Sequence, residues 1–372
     1  MGQSPQSAAG LFGNVYHNKR VLITGHTGFK GSWLALWLER MGARVVGIAR
    51  APATEPSHYE LLGLRAKSFL TDIRNADSLA RIVALARPEI VFHLAAQPLV
   101  RRSYRDPSET YATNVIGTLN VCEACRACDS VRAIVAITTD KVYENPDSGA
   151  AFKESDPLGG YDPYSASKAC AEILLASYRR SYFNPVSYGT DHRTLLASVR
   201  AGNVIGGGDW SEDRLLPDIM KAVGAGEPVT LRNPKAVRPW QHVLECLSGY
   251  LLVGQRLYEG DPACARPFNF GPKLGDTLQV REIVERIRKQ WPALACEERP
   301  DPAAPHEAAY LRLSCTAART VLHWESVWNI DTALRVTADW YREYYEKGAV
   351  YSIEQLNRYI EEAREAGAVW AK

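Results

Sequence analysis

Short apolar runs alternate with helical patterns through the first 200 residues of the chain. Strands that alternate with helices predict a parallel sheet covered on both faces. One helix is predicted over Gly31–Met41, where Trp33 and Trp37 follow helical spacing and Gly42 ends the pattern. Right-handed crossovers then make the sheet doubly wound, with a ligand at the carboxyl ends of its strands. The predicted strands are Val21–Thr24, Val45–Ala49, Ser68–Leu70, Ile90–Ala95, Ala133–Thr138 and Leu195–Arg200.

After residue 200 the pattern changes, because prolines and glycines divide the chain into short pieces. Helical patterns return at Arg281–Gln290 and Ile330–Glu346, which indicates a smaller second domain. Tyr182–Arg193 is a long polar loop, either a packing arm or a partner contact. The predicted fold is α/β, a Rossmann-type doubly wound parallel sheet with a smaller, partly interleaved α/β substrate-binding domain. The predicted bounds are a flexible leader at 1–18, a nucleotide-binding domain at 19–202 with a returning segment near 236–265, and a substrate domain at 203–235 and 266–372.

Composition narrows the class of protein. A chain of 372 residues exceeds the usual size of one hydrophobic core. Its net charge of +2 gives no bulk field for nucleic acid, and no apolar run approaches the roughly 18 residues of a membrane span. Without an apolar signal segment near Met1, we expect a cytoplasmic protein. Cys122, Cys125 and Cys128 have iron–sulfur spacing but no fourth cysteine nearby, so we expect buried free thiols and no metal site.

A glycine-rich turn follows the first predicted strand. Gly25, Gly28 and Gly31 have the three-residue spacing that lets a backbone approach a pyrophosphate at a helix N-terminus. Asp72 after the third strand is interpreted either as an adenine contact or as a helix cap. The predicted cofactor-binding residues are Gly25, Thr27, Gly28, Phe29, Gly31, Arg50, Asp72, Ile73, Leu94, Ala95, Ala96, Asn114, Tyr164 and Lys168.

Arg50 leaves the choice of dinucleotide open. About twenty residues after the glycines, an acidic group on the ribose hydroxyls is typical of NAD sites. The second strand instead leads into Arg50, which either favours the 2′-phosphate of NADP or points into solvent, and Glu55 is a possible substitute. We expect NAD, by a small margin.

Proton-transfer groups cluster in two segments. Tyr164 and Lys168 are one helical turn apart, so the lysine charge is expected to lower the tyrosine pKa and make the phenolate a base. Thr139, Asp140 and Lys141 follow another predicted strand, and a simple dehydrogenase has no need of that acid. The duller interpretations are a loop-capping aspartate and a solvated surface lysine.

These motifs together resemble the extended short-chain dehydrogenase/reductase superfamily. The segments GHTGFKGSWL, AAQPLVRRSY, TTDKVYEN, RAGNVIGGGDW and RPWQHVLE are more narrowly similar to the CDP-glucose 4,6-dehydratases, over nearly the whole chain. The resemblance implies C4 oxidation of CDP-glucose, loss of water across C5–C6 and reduction at C6, with NAD recycled internally. It implies that Tyr164 is the C4 base, Thr139 binds the C4 oxygen and Asp140 is the acid. Lys141 is then either the C5 base or an electrostatic stabiliser of the enolate.

The resemblance also implies a substrate site and a homodimer formed through the Tyr164 helix, with a tetramer as the alternative assembly. The alternatives are another nucleotide-sugar 4,6-dehydratase, a 4-epimerase, which has no role for the acid, and a non-catalytic nucleotide-sensing scaffold. The substrate-binding candidates are Gln97, Asn203, Arg214, Leu215, Pro217, Arg232, Arg238 and Tyr310.

Overall fold

The structure, a computed structural model, describes residues 8, 10–147, 149–231, 233–273, 278–292, 294–299 and 310–372. The strands are β1 (Arg20–Thr24), β2 (Arg44–Ala49), β3 (Lys67–Leu70), β4 (Ile90–His93), β5 (Ala133–Ile137), β6 (Leu195–Ala201), β7 (Val204–Ile205), β8 (Val229–Leu231), β9 (Val237–Arg238), β10 (Gln241–His242), β11 (Phe268–Phe270), β12 (Leu278–Gln279) and β13 (Cys296–Glu298). The α-helices are α1 (Phe29–Arg40), α2 (His58–Leu62), α3 (Ala76–Ala86), α4 (Val100–Arg105), α5 (Pro107–Tyr111), α6 (Gly117–Arg126), α7 (Pro163–Ser181), α8 (Leu215–Ala225), α9 (Val243–Tyr258), α10 (Val280–Gln290), α11 (Thr316–Val321), α12 (Ile330–Lys347) and α13 (Ser352–Glu365).

Seven strands form one parallel sheet in the order β11-β6-β5-β4-β1-β2-β3. Alternate residues of a strand face opposite sides, so Val21 and Ile23 enter one apolar core and Leu22 enters the other. Helices α1 and α9 pack on the first side, and α3 and α6 pack on the second. Burial of both faces explains why the central strands β1, β4, β5 and β6 are largely apolar, whereas the edge strand β3 is mostly exposed. The predicted doubly wound α/β fold is confirmed.

The six predicted strands are present, with small shifts at their ends. The strand predicted over Ile90–Ala95 ends at His93, and helix α1 begins at Phe29 rather than Gly31. The seventh strand, β11, was not predicted, because its three residues lie between Pro267 and Gly271 and are too few to show a period. It pairs with β6 and falls inside the range 266–372 assigned above to the substrate domain.

Three two-stranded sheets and the helices α8, α10, α11 and α12 make up much of the remainder. Strand β7 pairs with β10, β9 with β12 and β8 with β13. Strands of two or three residues with interspersed prolines explain the loss of a sequence pattern after residue 200. The loop at Tyr182–Arg193 contains a short 3-10 turn, Pro185–Ser187, and its Tyr188 packs against the core.

The segment before β1 is packed rather than flexible. Leu11, Phe12 and Tyr16 are fully buried, and the Phe12 ring stacks on Trp370 with centroids 5.3 Å apart. Tyr16 Oη also donates a hydrogen bond to Leu251 O at 2.6 Å. The expectation of a flexible leader is therefore wrong for residues 10–18. These residues are ordered because their side chains cover the apolar surface of α1 together with residues near the C-terminus.

A buried ion pair fixes α7 against the sheet. Glu172 accepts hydrogen bonds from Arg200 Nε and Nη2, both at 2.9 Å, and also from Thr138 and Ser198. Burial alone would raise the Glu172 pKa, but Arg200 holds that pKa below its usual value. Loss of one partner of such a pair costs about 3–5 kcal/mol. The helix that carries Tyr164 is thereby held at a set position relative to the end of β5.

Two features bear on the class of protein. Among the described residues, no helix combines the length and the apolar character that a membrane span requires. Cys122, Cys125 and Cys128 are buried free thiols that pack between helices and sheet. Burial raises the pKa of Cys122 to about 12, as expected of packing cysteines that stay protonated.

Candidate active site

The glycine turn between β1 and α1 has no room for side chains. Gly25 has a φ of +80°, and a Cβ there would lie 2.7 Å from Ala95 N. A Cβ on Gly31 would lie 2.1 Å from Gly25 O, and Gly28 caps α1 with its N–H bonded to Gly25 O. The first turn of α1 therefore presents backbone N–H groups to the cavity beside it, which suits a pyrophosphate. This cradle fits the dinucleotide expected from the sequence.

A cavity of about 1340 Å³ runs along the carboxyl edge of the sheet, from the glycine turn to α8. The structure brings most of the predicted site residues to its wall, although they are spread over some 210 positions of the chain. Those on the wall are Gly25, Thr27, Gly28, Phe29, Gly31, Arg50, Asp72, Ile73, Leu94, Ala95, Ala96, Gln97, Thr139, Asp140, Lys141, Tyr164, Lys168, Asn203, Arg214, Leu215, Pro217 and Arg238.

Asn114 and Tyr310 lie outside the wall, and Gln97 lies on it with its side chain bonded to neighbouring protein groups. Asn114 is fully buried behind the wall, where its amide clamps the backbone of Gln97 and donates to Ser167 Oγ. The Gln97 amide is itself bonded to Leu99 and Thr110, so the side chain holds a loop rather than a ligand. Tyr310 is 42% exposed and stands outside the cavity wall. A single sequence cannot separate residues that shape a loop from residues that touch a ligand. Arg232 lies outside the described residues.

Asp72 neither caps a helix nor stands free. Its carboxylate accepts hydrogen bonds from Arg74 Nε and Nη2 at 2.7–3.1 Å. These bonds hold the pKa of Asp72 below its usual value. The cap of α3 is Asn75, which accepts from Ser78 N.

Thr139, Asp140 and Lys141 follow β5 and turn into the cavity wall. Thr139 Oγ1 donates to Asp140 Oδ1 at 3.0 Å, and Lys141 Nζ donates to the same oxygen at 3.3 Å. Only 1% of Asp140 is exposed, and its Oδ2 has no hydrogen-bond partner among the described residues. Lys141 is more open, with 27% of its side chain exposed. The acid is thus held in the wall with one oxygen still available for a hydrogen bond.

Tyr164 and Lys168 reach the same region from the first turns of α7. Burial raises the pKa of the Tyr164 hydroxyl to about 12, against the lowering influence of Thr139 and Arg214. Burial lowers the pKa of Lys168 to about 8, the Lys30 cation adds to this, and Lys168 Nζ donates to Ile137 O at 3.1 Å. The expectation that Lys168 lowers the pKa of Tyr164 is wrong for this structure, because desolvation of the phenol raises that pKa.

Lys30 is a site residue to which the sequence analysis gave no role. It lies in the first turn of α1, lines the cavity, and places its ammonium 6.0 Å from the centre of the Tyr250 ring. Burial lowers its pKa, and the Arg214 and Lys141 cations act in the same direction. The position of this lysine between Gly28 and Gly31 was the feature of the sequence that could have indicated its place in the site. Lys30, Lys141, Lys168 and Arg214 all line this part of the cavity, where cations can bind an anionic substrate.

Comparison with known proteins agrees with this geometry. Residues 21–271 match the family model described as the NAD dependent epimerase/dehydratase family. The chain is 47% identical over 331 residues to the CDP-glucose 4,6-dehydratase of Salmonella typhimurium, covering 88% of this chain and 92% of that protein. It is 27% identical over 345 residues to a dTDP-glucose 4,6-dehydratase of Xanthomonas campestris, covering 86% and 92% respectively.

Solved structures give the same answer for the fold. The dTDP-glucose 4,6-dehydratase DesIV of Streptomyces venezuelae, solved with NAD, superposes with a TM-score of 0.74 at 25% identity, covering 87% of this chain and 97% of that one. The UDP-glucose 4-epimerase of Thermus thermophilus, in complex with NAD, gives a TM-score of 0.74 at 27% identity, covering 87% and 98%. The expectation of NAD as cofactor is confirmed by this relationship. The match over more than half of the chain places this protein in the NAD-dependent epimerase/dehydratase family.

Proposed function

We propose that this protein is a nucleotide-sugar 4,6-dehydratase that converts CDP-glucose to CDP-4-dehydro-6-deoxyglucose. The observation that carries the proposal is the carboxylic acid Asp140, which bonds to Thr139 on the cavity wall that also holds Tyr164 and Lys168. Oxidation at C4 needs a base, whereas loss of water across C5–C6 needs an acid in addition. The relation to the Salmonella enzyme supports CDP-glucose as the substrate.

The residues divide the work by position. When bound, NAD would supply hydride transfer, in which it accepts a hydride from C4 at the start and returns that hydride to C6 at the end. Tyr164 takes the proton of the C4 hydroxyl, and Thr139 donates a hydrogen bond to the same oxygen. Lys168 lines the same cavity and would hold its positive charge near the base and near the cofactor when that is bound. Asp140 protonates the departing C6 hydroxyl, so that water rather than hydroxide leaves.

Lys141 is assigned an electrostatic role in this scheme. Its ammonium is paired with Asp140 Oδ1 and faces the partly exposed side of the wall. A cation at that place stabilises the negative charge that develops when the C5 proton passes to the Asp140 carboxylate, which then gives a proton to the departing C6 hydroxyl. The alternative is that neutral Lys141 is itself the C5 base.

The substrate's diphosphate is assigned to the end of the cavity that Arg214 and Arg238 line. Arg214 caps the start of α8, and Arg238 lies at the end of β9 with 6% of its surface exposed. Guanidinium groups bind phosphate oxygens in a bidentate fashion, which an ammonium cannot do. Asn203, Leu215 and Pro217 line the same end and are proposed to contact the nucleotide.

A panel of sugar nucleotides tests the proposal directly. With CDP-, dTDP-, UDP- and GDP-glucose in turn, we expect turnover of CDP-glucose to exceed that of the others by about 10-fold to 100-fold in kcat/KM, since unpaired polar groups of a mismatched base cost a few kcal/mol. Mass spectrometry of the product should show the loss of one water. A product of unchanged mass with inverted C4 would instead support a 4-epimerase, and binding without turnover would support a sensing scaffold.

We also propose that the protein acts as a homodimer in the cytoplasm. The outer face of α7 carries exposed Ile173 and Cys170, and the adjoining π-helical segment Ala112–Ile116 and α5 expose Ile116 and Tyr111. An apolar face of this kind on neighbouring helices is suited to helix–helix packing with a second copy. The cysteines are free thiols, as is usual in a reducing compartment.

Replacing Ile173 by glutamate should convert the dimer to a monomer, because a charge would be buried at the centre of the contact. Light scattering after gel filtration measures the mass, which should fall by half. The control is Leu85→Glu, since Leu85 is 68% exposed on α3 and is not one of the residues of this face. A wild-type mass of one chain, or an unchanged mass for the variant, would remove the proposed interface.

A further inference from the structure

The charge of Arg50 is paired with that of a residue far away in the sequence. Arg50 directly follows β2, 22 residues after Gly28, and its carbonyl accepts a hydrogen bond from Thr27 Oγ1 at 3.0 Å. This is the place where Rossmann-type folds meet the adenosine ribose of a dinucleotide. An arginine here suits a 2′-phosphate, whereas an acid suits the two free hydroxyls of NAD.

Glu109, on the short helix α5, supplies the missing acid. Its Oε1 accepts from Arg50 Nη1 at 3.0 Å, and its Oε2 accepts from Arg102 Nε and Nη2 at 2.9 Å and 2.6 Å. Glu109 is itself held in place, because its backbone N–H bonds to the Asp106 side chain. All of Arg50, Arg102 and Glu109 line the cavity. The carboxylate is the more enclosed partner, with 13% of its side chain exposed against 62% for Arg50.

The wider cluster is balanced in charge. Arg74 is bonded to Asp72, and its pKa is raised by that carboxylate and further by Glu109 and Asp106. The three cations of this cluster, Arg50, Arg74 and Arg102, therefore interact with three anions, Asp72, Asp106 and Glu109. These charges cancel, so the cluster has no net positive charge to bind a further phosphate.

We propose that Glu109 is the residue by which this protein selects NAD over NADP. Its carboxylate occupies the guanidinium groups of Arg50 and Arg102, and it would repel a 2′-phosphate placed beside them. The 2′-hydroxyl of NAD meets no such repulsion. The inference concerns the cofactor alone and does not depend on which sugar nucleotide is the substrate.

The test is the binding of NAD and of NADP to protein freed of nucleotide, measured by calorimetry without any sugar. Glu109→Gln removes the negative charge but keeps the size of the side chain. We expect NADP to bind about 10-fold to 100-fold more tightly relative to NAD in this variant, because charge-assisted hydrogen bonds from two arginines become available. Adding Arg50→Ala to Glu109→Gln should reverse most of the gain.

Two controls separate this proposal from simpler effects. Glu212→Gln makes the same charge change at an exposed carboxylate of the same cavity, and it should leave the ratio of the two affinities unchanged. Arg50→Ala alone should change that ratio less than about 5-fold, since the arginine is already neutralised by an exposed pair. The proposal is overturned if Glu109→Gln leaves the ratio at its wild-type value while still binding NAD, or if Glu212→Gln shifts it equally. Because no sugar is present, either result leaves the proposed dehydration untouched.

Discussion

Replacing Asp140 by asparagine should stop the loss of water while oxidation at C4 continues. The amide has nearly the same shape and can still accept from Thr139 Oγ1 and Lys141 Nζ, so the wall of the cavity should keep its form. It has no proton to give to the departing hydroxyl, and loss of a general acid lowers a rate by about 10²–10⁴-fold. After CDP-glucose is added, absorbance should therefore show about one reduced nicotinamide per active site, and this signal should persist.

The matched control is Asp147→Asn. Asp147 is an exposed carboxylate of the same cavity with a φ of 51°, a conformation that asparagine tolerates well. Its turnover should stay within about 3-fold of wild type, as for surface changes generally. If Asp140→Asn turns over at the wild-type rate, Asp140 is not the acid. If the variant fails to form reduced cofactor at all, its role precedes elimination and the assignment also fails.

Tyr164→Phe is expected to stop the reaction one step earlier. Without the phenol no group takes the C4 proton, so kcat should fall by about 10²–10⁴-fold and no reduced nicotinamide should accumulate. Binding of CDP-glucose should change little, because the ring and its packing remain. Stopped-flow absorbance measures the loss of C4 oxidation, and calorimetry with CDP-glucose measures any loss of substrate binding.

Tyr178→Phe is the control for this change. Tyr178 lies on the same helix but bonds to Glu123 Oε1, away from the cavity, so its loss should leave turnover near the wild-type rate. A Tyr164→Phe enzyme that still accumulates reduced nicotinamide would show that another group removes the proton. The buried Lys168, whose pKa is lowered to about 8, is the first alternative in that event.

Local patterns predicted the parts of this protein that depend on neighbours in sequence. Strands β1, β4, β5 and β6 are buried almost throughout, so each appears as a largely apolar run whatever its partners, whereas the edge strand β3 is mostly exposed. The glycine turn was predictable for a similar reason, since Gly25 and Gly31 are needed by contacts within one βα unit. The Tyr164–Lys168 pair is set by a single helical turn.

Other features follow from long-range packing and left little trace in the sequence. Strand β11 is three residues long and exists because the open edge of β6 accepts it. The segment at residues 10–18 is ordered because Trp37 and Trp370 offer an apolar surface to Phe12. Tyr188 looked like part of a polar loop, yet it packs on the core.

For the site, the sequence by itself determined which chemical groups are present and which of them share a turn. The fold decided which of those groups reach the cavity. Asn114 lies behind its wall and bonds to the backbone of Gln97, whereas Lys30 lines the cavity. The fold also brought Glu109 to Arg50 across 59 positions of the chain. Burial, which depends on every neighbour at once, then moved the pKa of Tyr164 up and that of Lys168 down.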